Sequence, residues 1–408
     1  MKIVRIIARL NVGGPARHVV WLTKGLQDNE FQSILIAGMV PKGEEDMRYI
    51  AEANGVTPIF IAEMSRELSF RDIVSLYKIY GHIKKEEPDI IHTHTAKAGT
   101  LGRLAALFYR WLTWRTFAGR PRKVRIIHTF HGHVFHSYYG MWKTRIFIAI
   151  EKILARIATD KIIAISPQQF REIHGAFGIG RAAQFEVVPL GLDLEPFIKA
   201  RAMREAFREE IGVNDDEMLI GFVGRLTEIK NVSLLLQVAH FCGKKTKNEI
   251  PKLRFVIAGD GHLRQSLENE AYELGVDQFV TFLGNRTDTE SIYAGIDIIA
   301  LTSLNEGTPL SLIEGMASAK AVVSTAVGGV VDLLGEIEQQ HDGFAVRRRG
   351  VTVESKSAQG FLEGLIYLLK NKELRDNLGK HGKHFVEAEF CKERLIRDMK
   401  AVYRNLIQ

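Results

Sequence analysis

The segment from Glu306 to Glu314 combines two carboxylates with a predicted helix start. Its sequence is Glu-Gly-Thr-Pro-Leu-Ser-Leu-Ile-Glu, and it follows the predicted strand Ile296–Leu301. Thr308 is a favourable N-cap and Pro309 a favourable first helical residue, so we expect free backbone N–H groups and a positive dipole end. Carboxylates accept hydrogen bonds from hydroxyl groups, and helix N–H groups bind phosphate oxygens. The pattern therefore indicates a site for a polyhydroxylated, phosphorylated ligand.

Two cations follow the first strand predicted for the second half of the chain. Arg225 and Lys230 lie directly after the predicted strand Met218–Val223, in the run Gly-Arg-Leu-Thr-Glu-Ile-Lys. Arginine can bind two phosphate oxygens at once and lysine acts as a point charge, so the pair suits a diphosphate. Two surface cations without a ligand remain the alternative from spacing alone. The nearby turn Ala258–Gly261 lacks a third glycine and is a weak indication of a nucleotide.

Paired glycines follow the first predicted strand, Lys2–Ala8. Gly13 and Gly14 permit positive φ angles and close backbone approach, and Pro15 suits the first turn of a helix. The start of such a helix can face a phosphate group. The run is not Gly-x-Gly-x-x-Gly, so the dinucleotide fingerprint is absent. A tight strand–helix turn without a ligand explains these residues equally well.

Histidines are concentrated in the first half of the chain, at and beyond the ends of predicted strands. They are His92, His94, His128, His131, His133 and His136. His-x-His pairs permit metal binding, but no His-Glu-x-x-His motif, cysteine partner or complete carboxylate set accompanies them. We therefore predict histidines that face a polar ligand or are satisfied in the core, and no metal site.

Short apolar runs alternate with amphipathic stretches, which predicts an α/β fold with parallel sheets. The first set of predicted strands is Lys2–Ala8, Gln32–Ala37, Thr57–Ile61, Ile90–His92, Arg125–Thr129, Lys161–Ile165 and Phe185–Val188. The second set is Met218–Val223, Leu253–Ala258, Phe279–Phe282, Ile296–Leu301, Ala321–Thr325 and Gly343–Val346. Two successive sets predict two doubly wound domains. Helical patterns such as Ala16–Gln27 and Arg71–Lys85 lie between the strands.

The charged segment 193–216 separates the two sets of strands. It contains Pro196 and a Gly-Val-Asn turn signal, and we place the domain boundary there. Beyond the last predicted strand, the pattern predicts helices only. Ligands of paired doubly wound domains bind at the carboxyl ends of strands, in the crevice between the domains.

The composition is that of an ordinary globular protein, with 408 residues, 46% hydrophobic and 25% charged. It excludes disordered, collagen-like and coiled-coil chains. The two cysteines, Cys242 and Cys391, exclude a disulfide framework and fit a reducing compartment. No stretch approaches the ~18 uncharged apolar residues that a membrane-spanning helix needs. Arg5 and Arg9 in the first apolar run favour a buried strand over a signal peptide.

The net charge of +7 is unevenly distributed. No acidic residue lies between Ile90 and Ile150, whereas ten residues there are basic. Within Arg103–Arg125, arginines are interleaved with an apolar stripe at helical spacing, and Trp111 and Trp114 lie at its end. The stripe is compatible with core packing and with a helix at a membrane interface. No signature of nucleic-acid binding accompanies the charge, so we predict no nucleic-acid partner.

In their order and spacing, these motifs resemble those of the retaining glycosyltransferases of family 4, which have the GT-B fold. The markers are GGPARH, HTHTAKAG, HTFHGHVF, IAIS, VVPLGLD, GFVGRLTEIKN, VIAGDG, FLGNR, the Glu-x7-Glu segment, VGG at Val327–Gly329 and the C-terminal FCKERLIRDMKAVYRNLI. The similarity implies two Rossmann-like doubly wound domains that face each other across a cleft. It further implies an acceptor-binding domain over 1–192, joined by the C-terminal helix 390–408, and a domain over 193–389 that binds a nucleotide-sugar.

The resemblance also implies roles for residues on the donor side. Arg225 and Lys230 would neutralise the diphosphate, and Glu314 would bind the ribose hydroxyls. Glu306 would bind hydroxyls of the donor sugar together with the backbone of Thr308–Leu310. These assignments agree with the chemistry expected from the residue types.

Further roles follow from the same resemblance. Arg286 would lie near the base, and Gly13 and Gly14 would approach the donor phosphate or the acceptor. His131 matches the histidine next to the reacting sugar carbon. We count His131, Glu306, Arg225 and Lys230 as the expected catalytic residues.

The expected activity is transfer of a sugar from a nucleotide-sugar, with UDP as the expected nucleotide, to a glycan or lipid-linked acceptor. The resemblance implies retention of configuration by same-face attack, without metal or other cofactor, in polysaccharide or glycoconjugate biosynthesis. The expected location is cytoplasmic, with the inner face of the cell membrane as a candidate docking surface. Three alternatives stay open: a nucleotide-sugar 2-epimerase on the same fold, a non-catalytic basic peripheral membrane protein, and a histidine-metal hydrolase.

Overall fold

The computed structural model describes residues 1–11, 13–41, 46–64, 70–131, 141–245 and 250–408. The histidines predicted to face a ligand at His133 and His136 lie outside the described residues. The chain divides into two compact units. The first comprises Met1–Leu192 and Lys392–Gln408, and the second comprises Asp193–Cys391.

The first unit contains a seven-stranded parallel sheet in the order β3-β2-β1-β4-β5-β6-β7. Its strands are β1 Lys2–Ile7, β2 Gln32–Gly38, β3 Ile59–Ile61, β4 Ile90–His94, β5 Arg125–Thr129, β6 Lys161–Ala164 and β7 Phe185–Val187. Its helices are α1 Gly14–Gly25, α2 Arg48–Ala53, α3 Arg71–Glu86, α4 Ala96–Trp111, α5 Trp114–Phe117, α6 Met141–Ile157 and α7 Pro167–Phe170. A π-helical segment Arg171–Ala176 and a 3-10 turn Ala182–Gln184 precede β7.

The central strand β1 explains why this sheet is covered on both faces. Ile3 packs into one hydrophobic cluster, whereas Val4 and Ile6 pack into another. Successive side chains of a strand point to opposite faces, so a continuous apolar run supplies two cores at once. The predicted α/β fold is confirmed here, and all seven strands predicted for this half are present.

The C-terminal helix, Lys392–Ile407, packs on the first unit. Leu395 and Tyr403 are fully buried in the cluster that contains Ile3. Arg394 donates hydrogen bonds to the carbonyl oxygens of Pro189 and Leu190, at 2.8 and 2.6 Å. The last helix thus supplies part of the core of a unit whose other elements lie at the opposite end of the chain.

The second unit contains an eight-stranded sheet in the order β10-β9-β8-β11-β12-β15-β14-β13. Its strands are β8 Glu217–Val223, β9 Lys252–Ala258, β10 Val280–Gly284, β11 Ile298–Leu301, β12 Ala321–Thr325, β13 Ile337–Gln340, β14 Phe344–Arg347 and β15 Gly350–Val353. Its helices are α8 Glu195–Lys199, α9 Arg204–Glu210, α10 Val232–Gly243, α11 Arg264–Glu273, α12 Thr289–Gly295, α13 Leu310–Ala317, α14 Val330–Leu334, α15 Ala358–Lys370 and α16 Lys372–Glu389. Short 3-10 turns occur at Ala200–Met203 and Glu228–Lys230.

Two strands of the second unit were missed by the sequence prediction. β14 pairs antiparallel with both β13 and β15, whereas the remaining pairs are parallel. β13 has the sequence Ile-Glu-Gln-Gln and is exposed along its whole length, so it lacks an apolar signal. β15 is a four-residue strand, Gly-Val-Thr-Val, and is too short to show periodicity.

No helix in the described part of the chain combines the length and the hydropathy needed to cross a membrane.

Candidate functional site

In the second unit, the order of the strands reverses between β8 and β11. Doubly wound sheets bind ligands at this point, beyond the carboxyl ends of the two strands. The loop after β8 carries Gly224 and Arg225, and the loop after β11 leads to α13. The Ala258–Gly261 turn lies against the first of these loops, since a Cβ on Gly259 would come within 1.9 Å of the Gly224 oxygen.

Lys230 and Glu306, which are 76 residues apart, form an ion pair in the second unit. Lys230 Nζ donates to Glu306 Oε1 at 2.5 Å, and Ser303 Oγ donates to the same oxygen at 2.6 Å. The lysine and glutamate side chains are only 19% and 10% exposed. Such shielding strengthens a charge-assisted hydrogen bond relative to a surface pair. Two of the predicted catalytic residues are therefore brought together at the carboxyl ends of the strands.

Helix α13 begins one residue later than predicted. Pro309 is the N-cap, with ψ 108°, and Leu310 is the first helical residue. The Pro309 carbonyl accepts from the Leu312 and Ile313 N–H groups, so proline and not Thr308 closes the first turn. Thr308 makes no side-chain cap. The prediction of Thr308 as N-cap was wrong, because the residue before a proline avoids helical dihedrals and the extended turn continues through Pro309.

The start of α13 presents unsatisfied backbone donors. In the described structure, the N–H groups of Gly307, Thr308, Leu310 and Ser311 have no protein acceptor. The first N–H groups of a helix have no intrahelical partner, and the helix dipole adds positive potential there. This edge of the second unit is therefore suited to an anion.

Two glycines fix the loop that carries Glu306. A Cβ on Gly328 would lie 1.8 Å from the Glu306 carbonyl oxygen, and one on Gly329 would lie 1.9 Å from the Gly307 oxygen. Gly328 also has φ +53°, which favours glycine. The two glycines thus allow the backbone at 328–329 to contact the backbone at 306–307, and this contact fixes the position of Glu306.

Glu314 lies on the second turn of α13 and is buried, with 7% of its surface exposed. Tyr293 Oη donates to Glu314 Oε2 at 3.2 Å. A buried carboxylate needs hydrogen bonds to offset its desolvation. Tyr293, a residue of α12 that sequence analysis did not single out, therefore helps to orient Glu314.

Arg225 and Arg286 differ in their surroundings. Arg225 is exposed, and no hydrogen bond or ion pair of its side chain occurs among the described residues. Arg286 pairs with Glu210 at 2.5 Å and with Asp288 at 2.7 Å, and these hydrogen bonds raise its pKa. Arg225 is available to an incoming anion, whereas Arg286 is held by two carboxylates of its own unit.

In the first unit, the glycine pair lies at the start of α1, between strand and helix as predicted. Gly13 is the N-cap with φ +152° and ψ 166°, and Gly14 is the first helical residue. Pro15 lies in the first turn, which confirms that part of the prediction. His18, on the second turn of α1, is 3% exposed.

Three histidines lie together beyond the carboxyl ends of β4 and β5. His94 Nδ1 and His131 Nε2 share a hydrogen bond of 2.9 Å, and the His18 ring centroid lies 4.8 Å from that of His131. Burial lowers the pKa of His131 to about 3 and lowers the pKa values of His18 and His94 well below their ordinary range. These rings are therefore neutral at physiological pH.

A buried network that the sequence analysis missed lies beside these histidines. Arg5 donates to Tyr403 Oη at 2.8 Å and to Ser33 Oγ at 3.0 Å. His92 bridges Tyr403 Oη and Thr129 Oγ1, each at 2.7 Å. In the sequence, only the apolar residues on both sides of Arg5 indicated that this arginine is buried.

The structure divides the basic segment Arg103–Arg125 into inward and outward faces. Arg103 is fully buried and pairs with Glu151 at 2.6 Å, and Arg110 pairs with Asp160. Trp111 and Trp114 are instead 47% and 77% exposed. Arg103 and Arg110 are therefore engaged within the first unit, whereas both tryptophans face outward. Contact of this segment with a membrane stays a prediction.

Helix α3 presents an apolar face that the sequence analysis did not identify. Phe70, Ile73, Val74 and Tyr77 are 94, 71, 43 and 76% exposed. Their spacing of i, i+3, i+4, i+7 places them on one side of the helix. We call this set the α3 apolar face.

Comparison with known proteins places these features in a family. Residues 12–196 match the family described as Glycosyltransferase Family 4, and residues 203–385 match Glycosyl transferases group 1. An Escherichia coli UDP-Gal:alpha-D-GlcNAc-diphosphoundecaprenol alpha-1,3-galactosyltransferase is 27% identical over 347 residues, which is 82% of this chain and 83% of that protein. The Staphylococcus aureus capsular polysaccharide biosynthesis glycosyltransferase CapM is 24% identical over 373 residues, 90% of this chain and 88% of that protein.

A solved structure of the Anabaena protein HepE in complex with UDP has the same fold. Its TM-score is 0.78 at 18% identity, covering 99% of this chain and 100% of that chain. This similarity confirms the predicted GT-B fold. Because the two family matches together span most of the sequence, the chain belongs to the group 1 and family 4 glycosyltransferases.

Proposed function

We propose that the protein is a retaining, metal-independent glycosyltransferase that uses a UDP-sugar and a lipid-linked glycan acceptor. The observation that carries this proposal is the Lys230–Glu306 ion pair beside the open helix start of α13. Lys230 and the N–H groups at the start of α13 can bind the phosphate oxygens of a sugar diphosphate, and Glu306 can accept hydrogen bonds from the sugar hydroxyls. The UDP bound in the HepE structure and the UDP-Gal donor of the Escherichia coli relative support the choice of nucleotide.

In this proposal, the donor's diphosphate is held by Arg225, Lys230 and the N–H groups at Thr308 and Leu310. Glu306 accepts hydrogen bonds from hydroxyls of the transferred sugar, and its pairing with Lys230 fixes the oxygen that does so. Negative charge develops on the departing phosphate as the bond to the sugar breaks. Preorganised donors aimed at that charge lower the barrier without a metal ion.

Further contacts of the donor come from Glu314 and Arg286. Glu314, oriented by Tyr293, accepts from the ribose hydroxyls. We assign Arg286 to the neighbourhood of the base. Its ion pairs with Glu210 and Asp288 hold the side chain in one orientation and neutralise its charge.

Retention of configuration is proposed to arise from attack on the face that the diphosphate leaves. The acceptor hydroxyl forms the new bond to the anomeric carbon while the bond to the phosphate oxygen breaks, and that oxygen takes the hydroxyl proton. Double displacement would instead need a free carboxylate nucleophile near the sugar. Glu306 Oε1 is already engaged by two donors, which disfavours that role.

On the acceptor side, we assign His131 to the reacting sugar and Gly13 and Gly14 to the donor phosphate or the acceptor. His131 is neutral, so it can donate or accept one hydrogen bond without adding charge next to a developing oxocarbenium ion. His94 fixes the ring through the 2.9 Å hydrogen bond. The proposed acceptor is lipid-linked because the name of the Escherichia coli relative specifies a diphosphoundecaprenol substrate.

We further propose that the first unit docks on the anionic inner face of the cell membrane. The α3 apolar face, together with Trp111 and Trp114, supplies aromatic groups suited to the interface. Arg120, Lys123 and Arg125 are exposed and add positive charge. The side chains of Arg115 and Lys143 lie outside the described residues.

The activity is tested on the full-length protein with a panel of nucleotide-sugars. We expect a UDP-sugar to raise the unfolding temperature more than its GDP and ADP counterparts, and to be hydrolysed slowly in EDTA. Product analysis separates the alternatives, because a 2-epimerase converts the donor to its epimer without an acceptor. Activity lost in EDTA and restored by Mg²⁺ or Mn²⁺ contradicts the metal-independent mechanism. No stabilisation by any nucleotide-sugar contradicts the assignment as a transferase.

Sedimentation with lipid vesicles tests the membrane contact. Binding should rise with the fraction of anionic lipid, fall with added salt, and drop several-fold in the double variant Phe70→Ser, Tyr77→Ser. Tyr272→Ser is the matched control, since Tyr272 is equally exposed on the second unit. Equal, negligible binding to neutral and anionic vesicles would favour a soluble acceptor.

A further inference from the structure

Three histidines from separate elements of the first unit meet at the carboxyl-terminal edge of its sheet. His18 is on α1, His94 is the last residue of β4, and His131 follows β5. One ring nitrogen of each lies within 4.8 Å of the other two. Among the described residues, no other group of three or more histidine, cysteine, aspartate or glutamate side chains is this compact.

Four ring nitrogens of the three histidines are buried without a hydrogen-bonding partner in the described structure. They are Nδ1 and Nε2 of His18, Nε2 of His94 and Nδ1 of His131. Each unsatisfied buried polar group costs about 1–3 kcal/mol. The proposed transfer assigns a contact to His131 and an orienting hydrogen bond to His94, and it assigns no role to His18 or to the unpartnered nitrogens of the other two rings.

The backbone next to His94 is strained. Thr95 has φ +67°, and its Oγ1 is also buried without a described partner. A β-branched residue rarely adopts this conformation, which costs about 1–3 kcal/mol and is retained where function requires it. The strain occurs at the residue that sets the position of His94 at the strand end.

We propose that His18, His94 and His131 bind one divalent transition-metal ion of the zinc class. Imidazole nitrogens are preferred ligands of zinc, and the absence of carboxylates from the cluster disfavours magnesium and calcium. Tetrahedral zinc places its nitrogen ligands about 3.3 Å apart, so the rings must close by at most about 1.5 Å. Three protein ligands leave a fourth position for water or for an oxygen of a substrate.

The charges around the cluster set the expected affinity. A metal ion binds to an imidazole nitrogen that carries no proton. Arg5 and Arg394 contribute positive charge at His18. Because that charge repels a dication, we expect weaker binding than at a site of the same ligands without nearby cations.

Metal binding would also affect sugar transfer, and this part rests on the proposed function. A His131 nitrogen bound to zinc is not available to the reacting sugar. Zinc should therefore inhibit transfer at the concentrations at which it binds, and a chelator should relieve the inhibition.

The binding test uses the full-length protein with zinc chloride alone, without donor or acceptor. We expect one equivalent by calorimetry and, with cobalt(II), the visible absorption of a tetrahedral site. His18→Gln and His94→Gln should each weaken binding by at least about tenfold. His128→Gln, a buried histidine outside the cluster, and His262→Gln, an exposed one, should bind as the wild type does.

Three results overturn the proposal: no stoichiometric zinc, an octahedral cobalt spectrum, or unchanged binding in both His18→Gln and His94→Gln. If those variants fail to fold, as judged by circular dichroism, the cobalt spectrum of the wild type decides. Binding is measured without substrates, so its failure leaves the proposed transfer intact. Failure of transfer likewise leaves the metal site standing.

Discussion

The two units share a strand order around the point where it reverses, but they place opposite chemistry there. The first unit has β3-β2-β1-β4-β5 and the second has β10-β9-β8-β11-β12. Beyond the carboxyl ends of the second set lie an ion pair, an exposed Arg225 and open N–H groups. In the first unit, the corresponding edge carries the neutral rings of His18, His94 and His131, of which His18 and His94 are buried.

Under the proposed function, the topology determines where each unit binds its ligand, and the side chains determine which ligand it binds. Parallel strands deliver their carboxyl ends to one edge, whatever their sequence. A charged edge suits the diphosphate of a donor. A neutral, desolvated edge suits hydroxyl groups and tolerates the positive charge that develops on a sugar. Variants and pH changes that act on one edge alone can test this assignment.

The largest effect is expected from removing the cation of the second unit. Lys230→Met should lower kcat by about 10²–10³, since a preorganised charge that stabilises a leaving group is worth that much. It also leaves Glu306 without its ion-pair partner, so the loss should be mainly in kcat and less in KM. Steady-state kinetics with a UDP-sugar provides the measurement. Lys252→Met, which removes a surface pair with Asp216, is the control and should retain activity.

Acid should destabilise the first unit before the second. The pKa of His131 is about 3 in the folded protein and about 6.5 when unfolded, so the unfolded state binds more protons between these values. Stability therefore falls as the pH falls, by about 2 kcal/mol at pH 5 for this ring alone. In the second unit, hydrogen bonds from Arg286 lower the pKa values of Glu210 and Asp288, so both carboxylates stay ionised at pH 5.

Hydrogen exchange followed by mass spectrometry at pH 7 and pH 5 can resolve the two units. Amides of β4 and β5 should lose protection at pH 5 while those of β8 and β11 keep it. Equal loss in both sheets would mean that the buried histidines do not control acid stability.

A smaller effect is expected at Glu314. Glu314→Gln should weaken UDP binding about tenfold, because one charge-assisted hydrogen bond to the ribose is lost, and should leave kcat nearly unchanged. Glu306→Gln should show the opposite pattern, with kcat lowered and UDP affinity retained. Calorimetry with UDP and steady-state kinetics separate the two. The same response in both variants would contradict the proposed contacts of sugar and ribose.

The sequence by itself determined the elements and the loops that carry chemistry. Apolar runs located all seven strands of the first sheet, and Gly-Gly-Pro located the start of α1. The start of α13 was predicted within one residue. These features depend on periodicity, turn residues and dihedral limits, which act over a few neighbouring residues. The exposed β13 was missed because an edge strand with a polar sequence carries no such local signal.

Only the tertiary structure decided which of these residues meet. Lys230 forms an ion pair with Glu306, 76 residues away in the sequence. Arg103 is buried because it forms an ion pair with Glu151 inside the first unit. The histidine cluster joins α1, β4 and the segment after β5, which become neighbours through the strand order. Pairing of charges and burial of polar groups depend on distance and dielectric in the folded chain, and neither is encoded in local spacing.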